Sequence, residues 1–217
     1  MIFHDRIHAG ELLALKLARY RHQNPLILGV PRGAMPIADV LQRKLGGDLD
    51  VILVHKVGAP DHPEFAIGSM SEFGDTYRSS ALEDYQIPTQ YFEEAARREL
   101  KGLKARREQY SPFLKPIHAK DRIVLLVDDG IATGATILSA IRAVRWMGPR
   151  KIICVAPVIS KGALELIENE ADEVVVLDLP QEFHSISEFY EDFNPVSDQE
   201  VIQILKNRTL QEKKETG

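Results

Sequence analysis

The chain has 217 residues and a mass of 24.4 kDa, enough for one medium-sized domain, so we expect a single domain over residues 1–217. Hydrophobic residues make up 44% of the chain and charged residues 27%, which excludes disordered and collagen-like classes. The 27 basic residues against 32 acidic ones give a net charge of -5, so no nucleic-acid partner is expected.

The cellular compartment is predicted from cysteine usage and from the N-terminus. A single cysteine, Cys154, excludes an internal disulfide and a cysteine metal cluster. The first residues lack the apolar segment of a signal peptide, and no apolar run approaches the roughly 18 residues of a membrane helix. We therefore expect a cytoplasmic protein without a membrane partner.

The first half of the chain alternates helix and strand patterns. A helical pattern over residues 12–18 ends before Asn24-Pro25, and a short apolar strand follows over 26–30. A second helix is predicted from 35 to 45, ended by two glycines, and a second buried strand over 51–54. Apolar runs without alternation predict parallel strands covered by helices on both faces.

The alternation of helix and strand patterns is interrupted between residues 57 and 120. A Pro-rich loop precedes a predicted hairpin with strands over 66–70 and 76–78, and a long helix follows over 89–110. This helix carries several arginines, namely Arg97, Arg98, Arg106 and Arg107. They fit either a solvated helix face or an anion-binding surface.

Regular alternation returns after residue 120. Strands are predicted over 123–127, 152–158 and 174–177, with helices after residue 136 and over 163–168. Ser197 and Glu200 have capping-box spacing, so a last helix is expected there, followed by a fraying tail from Lys206. The predicted class is therefore α/β, with an open, mainly parallel, doubly wound sheet.

The segment after the strand over 123–127 carries the most specific chemical signal. Asp128 and Asp129 leave the carboxyl end of a buried strand, where open parallel sheets bind ligands. The following loop, residues 130–136, combines glycines with threonine hydroxyls and leads into a helix whose free amides favour a phosphate. A ribose 5-phosphate fits both the acidic pair and the loop, with its hydroxyls donating to the two carboxylates and its phosphate bound by the loop.

Other loop classes fit these residues less well. A P-loop requires a lysine before the terminal hydroxyl residue, whereas Ala135 precedes Thr136 here. A dinucleotide-binding turn requires three glycines that this segment does not supply. A tight turn in which the Asp and Thr side chains act only as caps is the structural alternative.

The run from Val127 to Thr136, VDDGIATGAT, resembles the phosphoribosyl-pyrophosphate motif of the type I phosphoribosyltransferases. The resemblance extends from about residue 26 to residue 198, and it is strongest to stand-alone bacterial phosphoribosyltransferase-like proteins whose base is unassigned. It implies the type I phosphoribosyltransferase fold, with a flap insertion over residues 57–120 and a small C-terminal hood over residues 178–198.

The resemblance also implies residue roles. Asp128 and Asp129 would hold the ribose hydroxyls. They would also hold a Mg²⁺ cofactor, either directly or through water or the bound ligand. The 5′-phosphate would meet the loop, which consists of Gly130, Ile131, Ala132, Thr133, Gly134, Ala135 and Thr136.

Pyrophosphate would be held by Arg32, Gly33 and Lys56, in a family loop that often contains a non-proline cis peptide. The catalytic set is then Asp128, Asp129, Arg32 and Lys56. A surface ion pair is the alternative role for Arg32.

Two positions depart from the family pattern. His55 stands where we expect arginine, which puts one pyrophosphate contact in doubt. Lys161 and Phe183 match the base-binding lysine and the stacking ring of 6-oxopurine enzymes, with surface and core roles as their respective alternatives. Ala132 lacks the acid of the purine enzymes, which weakens a purine assignment.

The resemblance implies a Mg²⁺-dependent enzyme that transfers the 5-phosphoribosyl group from phosphoribosyl pyrophosphate (PRPP) to a nitrogenous base. PRPP and the base are the expected partners, and a homodimer is expected by analogy. A PRPP-binding regulatory sensor without turnover is the alternative, because His55 and Ala132 are compatible with lost catalysis. An interaction protein without a ligand is a third alternative.

Overall fold

A computed structural model describes residues 1–63, 65–114 and 118–215. The helices are α1 (Arg6–Lys16), α2 (Met35–Leu45), α3 (Ala81–Asp84), α4 (Thr89–Tyr110), α5 (Ala135–Trp146), α6 (Lys161–Ile167) and α7 (Asp198–Glu215). The strands are β1 (Leu26–Gly29), β2 (Asp48–Val51), β3 (Val54–Gly58), β4 (Ala66–Ser71), β5 (Thr76–Arg78), β6 (Ile123–Val127), β7 (Lys151–Val158) and β8 (Glu173–Asp178). Within these ranges, no helix is long and apolar enough to cross a membrane.

A five-stranded parallel sheet forms the centre of the molecule, in the order β2-β1-β6-β7-β8. Its two central strands, β1 and β6, are apolar and fully buried because helices cover both faces of the sheet, and one hydrophobic cluster lies on each side. From β1 the chain winds outward to β2, and from β6 it winds the other way to β7 and β8. The predicted α/β class with a doubly wound sheet is therefore confirmed.

A second sheet, antiparallel and three-stranded, has the order β3-β4-β5. The prediction of one strand over 51–54 is wrong, because the chain passes from one sheet to the other at Ile52 and Leu53. The Ile52 amide still donates to Gly29 of the parallel sheet, whereas Leu53 exchanges backbone and side-chain hydrogen bonds with Glu72. The residues around the transition are buried and apolar, so periodicity alone does not reveal it.

The antiparallel sheet is joined to helix α5 by two serines. The Ser69 hydroxyl of β4 donates to the carbonyl of Ala135, the first residue of α5, at 3.2 Å. It also hydrogen-bonds the Ser139 hydroxyl one turn later. Both serines are buried, so these contacts fix the small sheet against the helix that follows β6.

The two terminal helices are longer than predicted. Helix α1 begins at Arg6 rather than at residue 12, because the Asp5 side chain caps it by accepting the His8 amide at 2.8 Å. Ser197 and Glu200 form the predicted capping box, with the Glu200 carboxylate accepting the Ser197 amide at 2.8 Å. The segment predicted to fray is helical as far as Glu215.

Arg107 anchors helix α4 through a buried ion network. Its guanidinium forms two hydrogen bonds with Asp50, at 2.8 and 3.1 Å, and lies 3.5 Å from a carboxylate oxygen of Glu72. Asp50 and Glu72 are both buried, so two carboxylates share one guanidinium.

Glu64 and residues 115–117 of the predicted 57–120 flap, and residues 216–217, lie outside the described residues.

This network gives stability a pH dependence. Burial raises the pKa of Glu72 above its ordinary value of 4.5, and Arg107 opposes the rise only in part. The folded state therefore binds a proton at Glu72 more readily than the unfolded chain does. Consequently the contribution of Glu72 to stability is greatest below its unfolded pKa and decreases as the pH rises through its folded pKa.

Replacing Glu72 with glutamine removes this dependence and keeps an oxygen acceptor for the Leu53 amide. As the pH rises above 4.5, wild type loses the stability that protonated Glu72 contributes, and Glu72→Gln does not. We therefore expect the free energy of unfolding of Glu72→Gln minus that of wild type to increase with pH. Urea denaturation at a series of pH values measures it. Glu108→Gln, on the exposed side of α4, is the matched control, and a difference independent of pH would contradict the expectation.

Candidate functional site

The candidate site lies where the parallel sheet changes its winding direction, between β1 and β6. The loops that leave the carboxyl ends of these adjacent strands are residues 30–34 and residues 128–134. Such a switch point opens a crevice at the carboxyl edge of a parallel sheet and is the expected ligand position. Both loops that the sequence singled out therefore meet at one place.

The acidic pair follows β6 directly. The Asp128 amide continues the sheet pattern by donating to Val155 at 3.0 Å, and the Asp129 amide donates to the Asp128 carboxylate at 2.9 Å. Burial and the neighbouring Asp129 raise the pKa of Asp128 well above its ordinary value, and Lys56 opposes this rise. Burial likewise raises the pKa of Asp129, against the effect of Arg6.

The loop after the acidic pair is pinned to the end of β7. The Ile131 amide donates to Val158, the Ser160 amide donates to Ile131, and the Ser160 hydroxyl donates to the Ala132 carbonyl at 2.6 Å. Gly134 precedes α5 at a φ of 77°, a left-handed conformation that glycine adopts without steric cost.

The N-terminus of α5 forms the end of this loop. The first intrahelical hydrogen bond runs from Leu138 to Gly134, so the amides of residues 135–137 have no partner within the helix. The first turn contains no acidic residue. Free amides and the helix dipole make this end of α5 suited to a phosphate dianion.

The loop after β1 approaches the acidic pair from the opposite side. The peptide bond between Pro31 and Arg32 is cis. A Cβ atom on Gly33 would lie 2.0 Å from a carboxylate oxygen of Asp129, so only glycine permits this approach. Arg32 extends toward the start of α7, where its guanidinium lies 3.5 Å from the Asp198 carboxylate.

These loops enclose a cleft of about 260 Å³. It is lined by Val30, Pro31, Arg32, Gly33, Lys56, Asp128, Asp129, Gly130, Ile131, Ala132, Thr133, Gly134, Thr136, Ile137 and Ile186. The structure thus brings together every residue that the sequence predicts to bind PRPP, except Ala135.

A family model described as the phosphoribosyl transferase domain matches residues 4–194, which is most of the chain. The chain belongs to this family. The resemblance to the type I phosphoribosyltransferases is therefore confirmed, and the cleft is the candidate active site of a phosphoribosyl transferase domain.

Relatives of this phosphoribosyl transferase domain agree with the match. Two proteins from Mycobacterium tuberculosis, both named "Putative phosphoribosyl transferase", are 33% identical over 205 residues, covering 94% of this chain and 46% of theirs. The chain thus spans about half the length of these curated relatives. The crystal structure of TT1426 from Thermus thermophilus has 43% identity and a TM-score of 0.83, covering 95% of this chain and 99% of that one.

The two predicted base-binding residues do not line the cleft of this domain. Lys161 is exposed at the start of α6, and Phe183 packs on Phe189 with ring centroids 5.3 Å apart, as in the core alternative. Among the described residues of the predicted 178–198 hood, Ile186 lines the cleft. Its side chain would lie 2.5 Å from a Cβ atom on Gly130.

The departure at position 55 does not affect the cleft directly. His55 and Lys56 are consecutive in β3, so their side chains point to opposite faces. Lys56 lines the cleft, whereas His55 lies 3.3 Å from Glu99 of α4. Of the two departures from the family pattern, Ala132 is therefore the one that lines the cleft.

The arginines of α4 divide into different environments. Arg107 is held by Asp50 and Glu72 and serves to anchor the helix. Arg106 lies 3.8 Å from Asp198, the same residue that contacts Arg32. Arg106 is therefore the member of this group that the structure brings next to the loop after β1.

Gly33 offers a test of the contact between the two loops. Gly33→Ala forces the loop or the Asp129 carboxylate to move, because the added methyl would overlap Asp129. We expect roughly 10- to 100-fold weaker PRPP binding, because a displaced Asp129 carboxylate would lose a charge-assisted hydrogen bond, which contributes about 1.5–3 kcal/mol. Isothermal titration calorimetry measures it.

Gly102→Ala is the matched control for this substitution. A Cβ atom there meets nothing within 4 Å, and Gly102 lies on the exposed face of α4. We expect unchanged PRPP affinity and up to about 1 kcal/mol of added helix stability. Equal PRPP affinity in Gly33→Ala and wild type would show that the close approach has no role in binding.

Proposed function

We propose that this protein transfers the 5-phosphoribosyl group of PRPP to a nitrogenous base and releases pyrophosphate, as in nucleotide salvage. The observation that carries this proposal is the convergence, in one cleft, of two carboxylates, a helix N-terminus, Arg32 and Lys56. PRPP has the complementary groups: two ribose hydroxyls, a 5′-phosphate and a pyrophosphate. Membership of the phosphoribosyl transferase family supports the same donor.

The ribose 5-phosphate half of the donor would occupy the β6–α5 loop. The 5′-phosphate accepts hydrogen bonds from the free amides at the start of α5 and from the hydroxyls of Thr133 and Thr136. Asp128 and Asp129 accept hydrogen bonds from the ribose hydroxyls. This arrangement holds the anomeric carbon near the loop after β1.

The leaving pyrophosphate would be held on the other side of the cleft. As the bond to the anomeric carbon breaks, negative charge develops on pyrophosphate and positive charge on the ribose ring. Lys56, the Arg32 side chain and the backbone amides of Arg32 and Gly33 would stabilise the leaving group, and all three residues line the cleft. Asp128 and Asp129 favour the positive charge on the sugar.

The two carboxylates of the cleft, Asp128 and Asp129, fit a Mg²⁺ ion that is shared with the substrate. Within the described residues, no group of three or more His, Cys, Asp or Glu side chains forms a metal cage. Mg²⁺ commonly binds through one or two carboxylates and completes its coordination with substrate phosphates and water. Asp128 and Asp129 would hold it, and when bound it neutralises charge on the pyrophosphate.

We further propose that residues 57–120 act as a flap and residues 178–198 as a hood over this cleft. Lys56 lies immediately before the flap, and Ile186 of the hood reaches the cleft. Because Ser69 and Arg107 fasten the small sheet and α4 to the rest of the fold, these segments would exclude water by covering the cleft and not by a large movement. The base would enter between them.

Pyrophosphate release tests the proposal. The protein is incubated with Mg²⁺, PRPP and one purine or pyrimidine base at a time, and both pyrophosphate and the nucleotide are quantified. We expect release that depends on the base. Tight PRPP binding with no release for any base would exclude the transferase and favour the regulatory sensor, and the lack of PRPP binding would exclude both.

A further inference from the structure

Arg6, the first residue of α1, contacts the acidic pair from outside the cleft. Its Nε and Nη2 atoms lie 2.9 and 2.8 Å from the same carboxylate oxygen, Oδ2 of Asp129. The Arg6 side chain is 10% exposed and that of Asp129 12%, so the contact is largely shielded from solvent. An ion pair in such surroundings is screened little by salt.

The guanidinium of Arg6 is immobilised by the C-terminal part of the chain. Its Nη1 atom donates to the Asn194 carbonyl at 2.9 Å, and its Cζ atom lies 3.9 Å from the centroid of the Phe193 ring. The Tyr190 hydroxyl donates to the backbone carbonyl of Asp129 at 2.7 Å. Both the carboxylate of Asp129 and its backbone are therefore held by residues outside the β6–α5 loop.

The geometry of the contact leaves one face of the carboxylate uncovered by Arg6. Both guanidinium contacts fall on Oδ2, the atom that also faces Gly33, so Oδ1 lies outside the ion pair. Asp128 and Asp129 are adjacent carboxylates in a buried setting, and like charges so close repel each other. Without a cation, the Asp129 side chain would turn away from Asp128 or from the cleft.

We propose that Arg6 is a positioning residue that holds the Asp129 carboxylate in the orientation that accepts hydrogen bonds from the ribose hydroxyls of PRPP. This inference rests on the proposed function and adds a residue that lies outside the PRPP motif. It also assigns a role to Phe193 and Asn194, which fix the Arg6 guanidinium. The N-terminal helix is thus part of the ribose site.

Calorimetric titrations of Arg6→Ala and Arg6→Lys test this proposal with two kinds of ligand. PRPP and ribose 5-phosphate carry the ribose hydroxyls, whereas inorganic pyrophosphate does not. We expect Arg6→Ala to bind the two ribose ligands at least about tenfold more weakly and pyrophosphate within about twofold of wild type. Arg6→Lys keeps the charge without the paired nitrogens and should recover part of the loss.

The controls separate positioning from folding and from the proposed function. Arg21→Ala, an exposed arginine that follows the first helical region, should leave every affinity unchanged. Thermal unfolding of each variant reports the loss of stability. Equal losses for ribose ligands and pyrophosphate, or no loss at all, would overturn the role of Arg6 while PRPP binding by the wild-type protein stands. Failure of the wild-type protein to bind PRPP or ribose 5-phosphate would overturn the proposed function, and the role of Arg6 with it.

Discussion

Replacing Asp128 with asparagine is expected to weaken PRPP binding roughly 10- to 100-fold, because a charge-assisted hydrogen bond contributes about 1.5–3 kcal/mol. Asparagine keeps the size of the side chain and one oxygen acceptor, so the Asp129 amide retains its partner. What is lost is the negative charge that is proposed to bind the ribose hydroxyls and to stabilise the developing positive charge on the sugar. Calorimetry with PRPP and Mg²⁺ measures the affinity, and pyrophosphate release measures the turnover.

Asp121→Asn is the matched control for Asp128→Asn. Asp121 lies just before β6, at the end of the strand opposite to the acidic pair, and it is exposed. Its φ of 60° is a conformation that asparagine also tolerates. We expect no change in PRPP affinity, and comparable affinities of Asp128→Asn and wild type would contradict a ribose-binding role for Asp128.

The second large effect is expected at Lys56. Lys56→Met keeps the aliphatic chain and removes the charge proposed to stabilise the leaving pyrophosphate. Loss of one preorganised group that stabilises developing charge commonly lowers kcat about 100- to 1000-fold. We expect a loss of this order in steady-state pyrophosphate release, with a smaller change in the KM for PRPP, because the charge on pyrophosphate grows in the transition state.

The neighbouring residue provides the control for Lys56. His55→Gln changes the preceding position in β3, whose side chain faces Glu99 and not the cleft. We expect kcat to remain within about threefold of wild type, as for surface substitutions away from a site. Equal effects at both positions would show that the small sheet as a whole, and not the Lys56 charge, matters for turnover.

The sequence predicted strands β1, β6 and β7 well because each contains a continuous apolar run between turn signals, whereas β2, with Asp48 and Asp50, does not. The predicted strand over 123–127 and the long helix over 89–110 match β6 and α4. The passage from β2 to β3 was missed, since burial on both sides of Ile52 gives no periodic signal of a change of sheet. The predicted start of α1 is too late because the apolar run begins only at residue 12, well after the Asp5 cap.

The donor side of the site was predicted from local chemistry, and the residues beyond it were not. Asp128 and the loop over residues 130–136 come directly after the end of β6, so their position in the chain indicates their position in the fold. Lys56 lies inside β3 of the small sheet rather than after a strand of the parallel sheet. Arg6 is remote in sequence from Asp129, although its spacing with Ala9, Gly10 and Leu13 puts a charge on the buried face of α1. That mismatch between charge and periodicity is the signal that identifies it.

The serine bridge between β4 and α5 has a consequence for catalysis. Lys56 belongs to the small sheet and the acidic pair to the large one, so the gap between them depends on the angle at which the two sheets are fastened. Ser69 and Ser139 help to hold that angle at α5, the helix proposed to bind the phosphate. Under this proposal, the alignment of the reacting groups would depend in part on a hydroxyl pair that does not line the cleft.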